Sequence, residues 1–179
     1  MRKIWIPIVS LLLAAIVLLG AYNLTLDVRK ANAQAELQAK METLLPGSTT
    51  FTEEAYTGED ANIAVAYKGE TGYVIGTSTA GYAGTIRMLI GVSNDGYVTG
   101  LQVRQMEETF GLGAEALTDW QFLAQFLRTE GDAAVGENID AITGATVSSR
   151  AVARCVNSAI AAVTGADIVT EATVWGGDR

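Results

Sequence analysis

The apolar residues of the chain fall into three regimes. From Ile4 to Tyr22 (IWIPIVSLLLAAIVLLGAY) they form a run of 19 residues without a charge, enough to cross a hydrocarbon core of about 30 Å as a helix. Pro7 sits in its first turns, where a missing N–H costs least. From Asn23 to Leu45 apolar residues recur at helical spacing (Leu24, Val28, Ala31, Ala35, Leu44) in a stretch rich in Ala, Gln, Glu and Lys. That predicts an amphipathic helix continuing out of the first and stopped by Pro46-Gly47. Beyond it the period shortens to two. Strands are expected around 51–56, at 61–68 (ANIAVAYK), 72–79 (GYVIGTST), 85–92 (TIRMLIGV) and 97–105 (YVTGLQVRQ), the last two joined through Asn94-Asp95-Gly96. Leu101 and Val103 alternate with Gln102 and Arg104, as in a strand with one solvated face.

Helical spacing returns twice. A helix is expected from Ala114 to Arg128, with Leu117, Trp120, Leu123, Ala124 and Leu127 on one face, and another over 147–163 (VSSRAVARCVNSAIAAV). A Gly-rich loop (106–113) and an acidic one (129–139) precede them. The tail, 164–179, reads as a short strand and a frayed end. A run of strands beside two or three helices predicts an α+β fold, an antiparallel sheet with packed helices, preceded by one N-terminal transmembrane helix. The expected organisation is an anchor over 1–25, a helical stalk over 26–47 and a folded domain over 48–179.

A cleaved signal peptide competes with the anchor, because Arg2 and Lys3 precede the run and Ala31-Asn32-Ala33 is an A-x-A-like site. That site lies about ten residues beyond the run, and the run is longer than a usual signal core, so the anchor is favoured. Arg2 and Lys3 favour an inside N-terminus, partly offset by Arg29 and Lys30. The expectation is a single-pass protein of the cell membrane, with the bilayer as a partner and its domain on the extracytoplasmic side.

Composition narrows the chemistry. The 179 residues are 18% charged with a formal charge of −8, and no basic stripe interrupts the acidic residues, which argues against nucleic acid. There is no histidine and one cysteine, Cys155. A zinc site, an iron–sulfur cluster, a His-based dyad and an internal disulfide are thereby set aside. Hydroxyls, carboxylates or a bound cofactor must carry any chemistry, and no metal-ligating or catalytic residue is assigned. Adjacent Glu107 and Glu108 would point to opposite faces of an extended segment, so they form no acid–base pair.

The densest hydroxyl cluster is DAITGATVSSR, residues 140–150, placed where the last helix begins. A helix N-terminus presents unpaired N–H groups and the positive end of the macrodipole, a natural phosphate site. Gly144 and Ala145 let a bulky anion approach the backbone. Thr146 would direct its hydroxyl there, with Ser148, Ser149 and Arg150 holding oxygens. The plain alternative is a well-supplied cap, with Thr143 or Thr146 capping and Ser148-Ser149 exposed.

Asp140-Ala141-Ile142-Thr143-Gly144-Ala145-Thr146 resembles the D-x-x-[ST]-G-A-T flavinylation motif of the FMN-binding domain family. That family includes the G subunit of Rnf electron-transport complexes and the C subunit of sodium-translocating NADH:quinone reductases. Gly81-Tyr82-Ala83-Gly84 and the following TIRMLIGVSNDGYVTGLQV resemble its G-Y-x-G strand pair, and Glu108-Thr109-Phe110-Gly111-Leu112-Gly113 its E-T-P-G-L-G loop. Trp120, Phe122 and Gln125-Phe126 also fit. Three motifs in order are far more specific than one. The resemblance implies FMN joined through its phosphate to the Thr146 hydroxyl by a separate flavin transferase, with Thr143, Gly144 and Ala145 at the phosphate end and Asp140 in what the transferase recognises. It places Thr109, Gly111 and Leu112 against the ring and Glu108 near its polar edge. Phe110 replaces a frequent proline and Met106 a frequent histidine, which touches the ring-side assignments more than Thr146.

The resemblance implies an electron-carrying subunit, not catalytic alone, in an ion-translocating ferredoxin:NAD⁺ oxidoreductase complex, with other membrane and redox subunits as partners. The short chain favours the Rnf type, and no dinucleotide fingerprint marks an NAD site on this chain. The alternatives are a stand-alone extracytosolic FMN carrier and a non-redox anchored binding module. Trp120, Phe126 and Tyr82 are expected in the core by default, and Cys155 buried and inert.

Overall fold

The computed structural model describes residues 2–106 and 117–166. Two compact units divide the chain, Met1–Lys40 and Met41–Arg179. The apolar run and the amphipathic stretch form one helix, α1 (Arg2–Leu44). Its large apolar side chains, among them Leu11, Ile16 and Leu18, are exposed. A run this apolar is long enough to cross a membrane, and a bilayer is the solvent that removes the cost of exposing it.

In the second unit five strands form a meander: β1 (Thr52–Glu54), β2 (Ile63–Lys68), β3 (Gly72–Ala80), β4 (Thr85–Ser93) and β5 (Val98–Met106). The sheet is antiparallel in the order β1-β2-β3-β4-β5. Period-two patterning locates β2 to β5 within two residues of their ends; β1 is shorter than its expected 51–56. At the β4–β5 turn the Gly96 N–H donates to Ser93 O at 2.9 Å and Gly96 has φ +86°, the left-handed geometry that the Asn-Asp-Gly signal anticipates.

Each sheet face has its own cover. Ile75, Ile86, Met88 and Ile90 pack against the last helix, α3 (Thr146–Thr164), through Val152, Cys155, Val156 and Ala159. Val74 and Leu89 alternate to the other face. There the last turn of α1 arrives: an added Cβ at Gly91 would overlap Leu44 O, and the Thr99 hydroxyl donates to that oxygen at 2.6 Å. Glu70 secures the chain that follows, accepting from Thr50 Oγ1 at 2.7 Å and Thr49 N–H at 3.1 Å, and these bonds hold its carboxyl down at about 2.

The helix expected over 114–128 differs. Its first residues lie outside the described part, and the described helix is α2 (Trp120–Ala124). Asp119 interrupts the periodic stretch because its carboxylate accepts from the N–H groups of Gln121 (2.7 Å) and Phe122 (3.3 Å), starting a new helix. After Ala124 the bonds shorten to i→i+3, ending at Arg128 with φ +69°. The buried face is set by Phe122 and Phe126, edge-to-face at 5.3 Å. Trp120, expected in the core, is 71% exposed, because the restart at Asp119 turns it outward. Tyr82, also expected in the core, is 70% exposed at a hairpin tip that carries it beyond the sheet.

Candidate functional site

The acidic stretch before the motif is ordered from α3. Asn157, buried mid-helix, accepts from Ala133 N–H at 3.1 Å and donates to Ala133 O at 3.0 Å, the double bond a strand neighbour would make. Asn138 closes the same loop with Ala134 N–H and Asp132 O. Ile139 is buried beside it and Asp140 emerges exposed. Gln125, just past α2, takes both backbone groups of Asp140: its Oε1 accepts the N–H at 2.8 Å and its Nε2 donates to the carbonyl at 3.3 Å. Three amide side chains therefore set the path into the motif. Sequence reasoning singles out none of them for this role, since long-range bonds to backbone leave no periodic trace.

The motif itself is a tight turn. Ala145 N–H donates to Ile142 O at 2.9 Å, closing Ile142-Thr143-Gly144-Ala145, and Gly144 at the third position has φ +81°. A type II turn demands such an angle there, and glycine supplies it without a Cβ clash. Ser149 locks the turn to the helix: its Oγ accepts from Ile142 N–H at 3.4 Å and donates to Ala145 O at 3.0 Å.

The start of α3 departs from the well-capped reading. Ala145 is the N-cap, and no side chain makes a cap hydrogen bond. Neither Thr143 nor Thr146 caps the helix, and Ser148 and Ser149 are buried rather than exposed. The first turn carries no acidic residue. Thr146 and Arg150 lie one turn apart on the same side, both exposed, and Arg150 has no ion pair among the described residues. A cation near a helix N-terminus opposes the macrodipole unless an anion joins it. Ser148 is 0% exposed, and its Oγ has no hydrogen-bond partner among the described residues, an orphan that ordinarily costs about 1–3 kcal/mol.

Thr143, Gly144, Ala145, Thr146, Ser148, Arg150 and Asp140 thus gather at one helix end. Glu108, Thr109, Phe110, Gly111 and Leu112 lie outside the described residues, as do Glu107 and the side chain of Met106. Cys155 is buried on the sheet-facing side of α3, and burial pushes its thiol up to about 11.

Comparison with known proteins places the chain in a family. Residues 81–161 match the family model described as FMN-binding domain, a span running from the Gly81-Tyr82 hairpin into α3. The G subunit of a proton-translocating ferredoxin:NAD⁺ oxidoreductase complex from Clostridium ljungdahlii is 30% identical over 169 residues, 87% of each chain. The chain belongs to this G-subunit family. Within that family, the G subunit of an ion-translocating oxidoreductase complex from Methanosarcina acetivorans is 38% identical over 144 residues, covering 71% of this chain and 75% of its own. The G subunit of a Na⁺-translocating ferredoxin:NAD⁺ oxidoreductase complex from Acetobacterium woodii is 39% identical over 115 residues, 60% of this chain, and the match spans 53% of that relative. The stretch shared with the FMN-binding model contains the whole Asp140–Arg150 turn and the glycine-flanked hairpin, whereas β1, β2 and β3 lie before it.

Proposed function

We propose that this chain is the electron-carrying flavoprotein subunit of a membrane-bound, ion-translocating oxidoreductase complex of the Rnf type, working between ferredoxin and NAD⁺, with FMN held as a phosphoester on Thr146. The observation that carries the reading is the uncapped start of α3, with Thr146 and Arg150 exposed side by side and no ion pair to Arg150 among the described residues. An esterified phosphate there meets the free N–H groups of the first turn, worth about 0.3–1 kcal/mol at an exposed helix end. Arg150 adds a charge-assisted contact and offsets its own unfavourable position. Ser148, although its hydroxyl lacks a partner among the described residues, is fully buried on the opposite side of α3 and so contributes no contact to a phosphate on Thr146.

In the attachment step the Thr146 oxygen bonds to the phosphorus of a flavin nucleotide donor as the bond to the donor's leaving group breaks and the hydroxyl proton departs. A flavin transferase supplies that chemistry, and the exposed Asp140 carboxylate is part of what it recognises. Gly144 keeps the turn free of a side chain, so the phosphate can reach the backbone. Once attached, FMN supplies the electron transfer, and the protein sets its potential by burial and hydrogen bonding. The family resemblance would set Thr109, Gly111 and Leu112 against the ring and Glu108 at its polar edge, residues that lie outside the described part. Attachment keeps the cofactor on a domain held at the extracytoplasmic face of the membrane by α1, among the other subunits of the complex.

The test is intact mass and in-gel flavin fluorescence after co-expression with a flavin transferase, for the native chain and Thr146→Val. A gain of one FMN less one water that vanishes in the variant is expected. An unmodified native chain, with a control protein modified in the same cells, would return the turn to ordinary structure.

A further inference from the structure

Asp140 leads the hydroxyl-rich turn, and its backbone is held from another element. Gln125 Oε1 accepts the Asp140 N–H at 2.8 Å, and Gln125 Nε2 donates to the Asp140 carbonyl at 3.3 Å. A primary amide thus reproduces the paired bonds that a neighbouring strand would make. Each of the two residues sits beside a buried anchor. Phe126, 0% exposed, stacks edge-to-face on Phe122 at 5.3 Å, and Ile139, 1% exposed, belongs to the same core. The anchors bring the two segments together. Bonding both the N–H and the C=O of Asp140 then fixes its φ and ψ, and with them the direction of its side chain.

Asp140 is exposed, and so are both of its bonds to Gln125. Water would satisfy those backbone groups without the amide, so the pair adds little to the stability of the fold. What it adds is direction. Between Asp140 and Thr146 the backbone is fixed at two further points. Ser149 Oγ accepts from Ile142 N–H at 3.4 Å, and Ala145 N–H donates to Ile142 O at 2.9 Å. The Asp140 carboxylate and the Thr146 hydroxyl, both on exposed residues, therefore keep a set relation across the turn.

We propose that Gln125 is a positioning residue for flavin attachment: by fixing the backbone of Asp140 it presents the Asp140 carboxylate and the Thr146 hydroxyl to the flavin transferase as one preset unit. The proposal rests on the attachment reading above. Transfer of FMN needs a leaving group on its phosphorus, and the pyrophosphate of a flavin dinucleotide supplies one. The bond from Thr146 Oγ to phosphorus forms, the bond from phosphorus to the departing nucleoside monophosphate breaks, and the hydroxyl proton passes to a base of the transferase. A transferase that meets the segment already ordered loses no binding energy to ordering it. Gln125 touches no reacting atom; its effect passes through Asp140.

The test uses the full unmodified chain in detergent, a purified flavin transferase and a flavin dinucleotide, with the adduct followed by intact mass. Gln125→Met should raise the KM for the chain about tenfold and leave kcat within about twofold, the mark of lost binding rather than lost chemistry. Gln121→Met, an exposed glutamine one turn earlier, should leave both constants alone. Asp140→Ala should raise KM at least as far. Gln125→Met added to Asp140→Ala should change nothing more, the non-additivity of two residues acting as a unit. Amide hydrogen exchange at Asp140 should quicken in Gln125→Met while the melting temperature holds, which separates loss of direction from loss of fold. Should the methionine variant not fold, Gln125→Ala answers the same question. A native KM in folded Gln125→Met, Gln125→Ala or Asp140→Ala overturns the proposal, as does a further loss in the double variant. A native chain that takes no FMN from a transferase active on a control protein overturns the attachment reading and this inference with it.

Discussion

The molecule starts two helices in opposite ways. α2 has five residues, and Asp119 serves two of its first N–H groups. α3 has nineteen residues and four hydroxyls around its start, yet no side chain caps it. Ser149 spends its hydroxyl on Ala145 O, Ser148 is buried without a partner among the described residues, and Thr143 and Thr146 face solvent. The short helix needs its cap because it has little else to hold it. The long one is secured by burying Ala151, Val152, Cys155, Val156 and Ala159, so its N-terminus can remain open. An open end flanked by an exposed arginine is stable company for an anion, and the family match supplies a phosphate-bearing one.

The contrast can be broken most strongly at Gly144. Gly144→Ala forces a side chain into φ +81° and should cost about 1–3 kcal/mol, read as a lower denaturation midpoint and a loss of adduct. Arg150→Glu comes next. It puts a carboxylate where the account needs a cation, and the rate of flavin attachment should fall about tenfold, equivalent to roughly 1.4 kcal/mol, while the unmodified protein melts no lower. An unchanged rate would remove Arg150 from the phosphate site. Asp119→Ala acts on the capped helix and should cost about 1 kcal/mol in chemical denaturation with adduct yield intact. The smallest effect sharpens the comparison most. Thr146→Asp supplies a permanent anion at the open end and should raise the stability of the unmodified chain by about 0.3–1 kcal/mol; a loss of stability would mean that the end does not favour negative charge.

Much of this is legible in the sequence, for reasons that differ by element. Strands β2 to β5 can be read because short runs rich in β-branched residues are bounded by turn residues, a signal that survives even in β3 and β4, which are buried on both faces, and Asn94-Asp95-Gly96 fixes a turn by its own chemistry. The stretch over 114–128 misleads because apolar spacing cannot register that the Asp119 carboxylate restarts the chain, turning Trp120 outward. Tyr82 misleads because a β-type aromatic looks the same in a core and at a hairpin tip. At the site, the order of Asp140, Thr143, Gly144 and Thr146 is visible, and so is its placement at a helix start. What holds that order is not. Gln125 on Asp140, Asn157 on Ala133 and Ser149 across the turn are side chain–backbone bonds, and two of the three span 15 residues or more.

The central claim is chemical and local to one oxygen. Trypsin cleavage after Arg128 and Arg150 releases Thr129–Arg150, which carries Thr129, Thr143, Thr146, Ser148 and Ser149 together. Fragmentation of that peptide from flavin-loaded protein distinguishes all five hydroxyls in a single measurement. The account predicts the FMN phosphoryl group on Thr146 and on no other residue. Its appearance on Thr143 or a serine, or an unmodified peptide from a protein that nonetheless fluoresces, would contradict it.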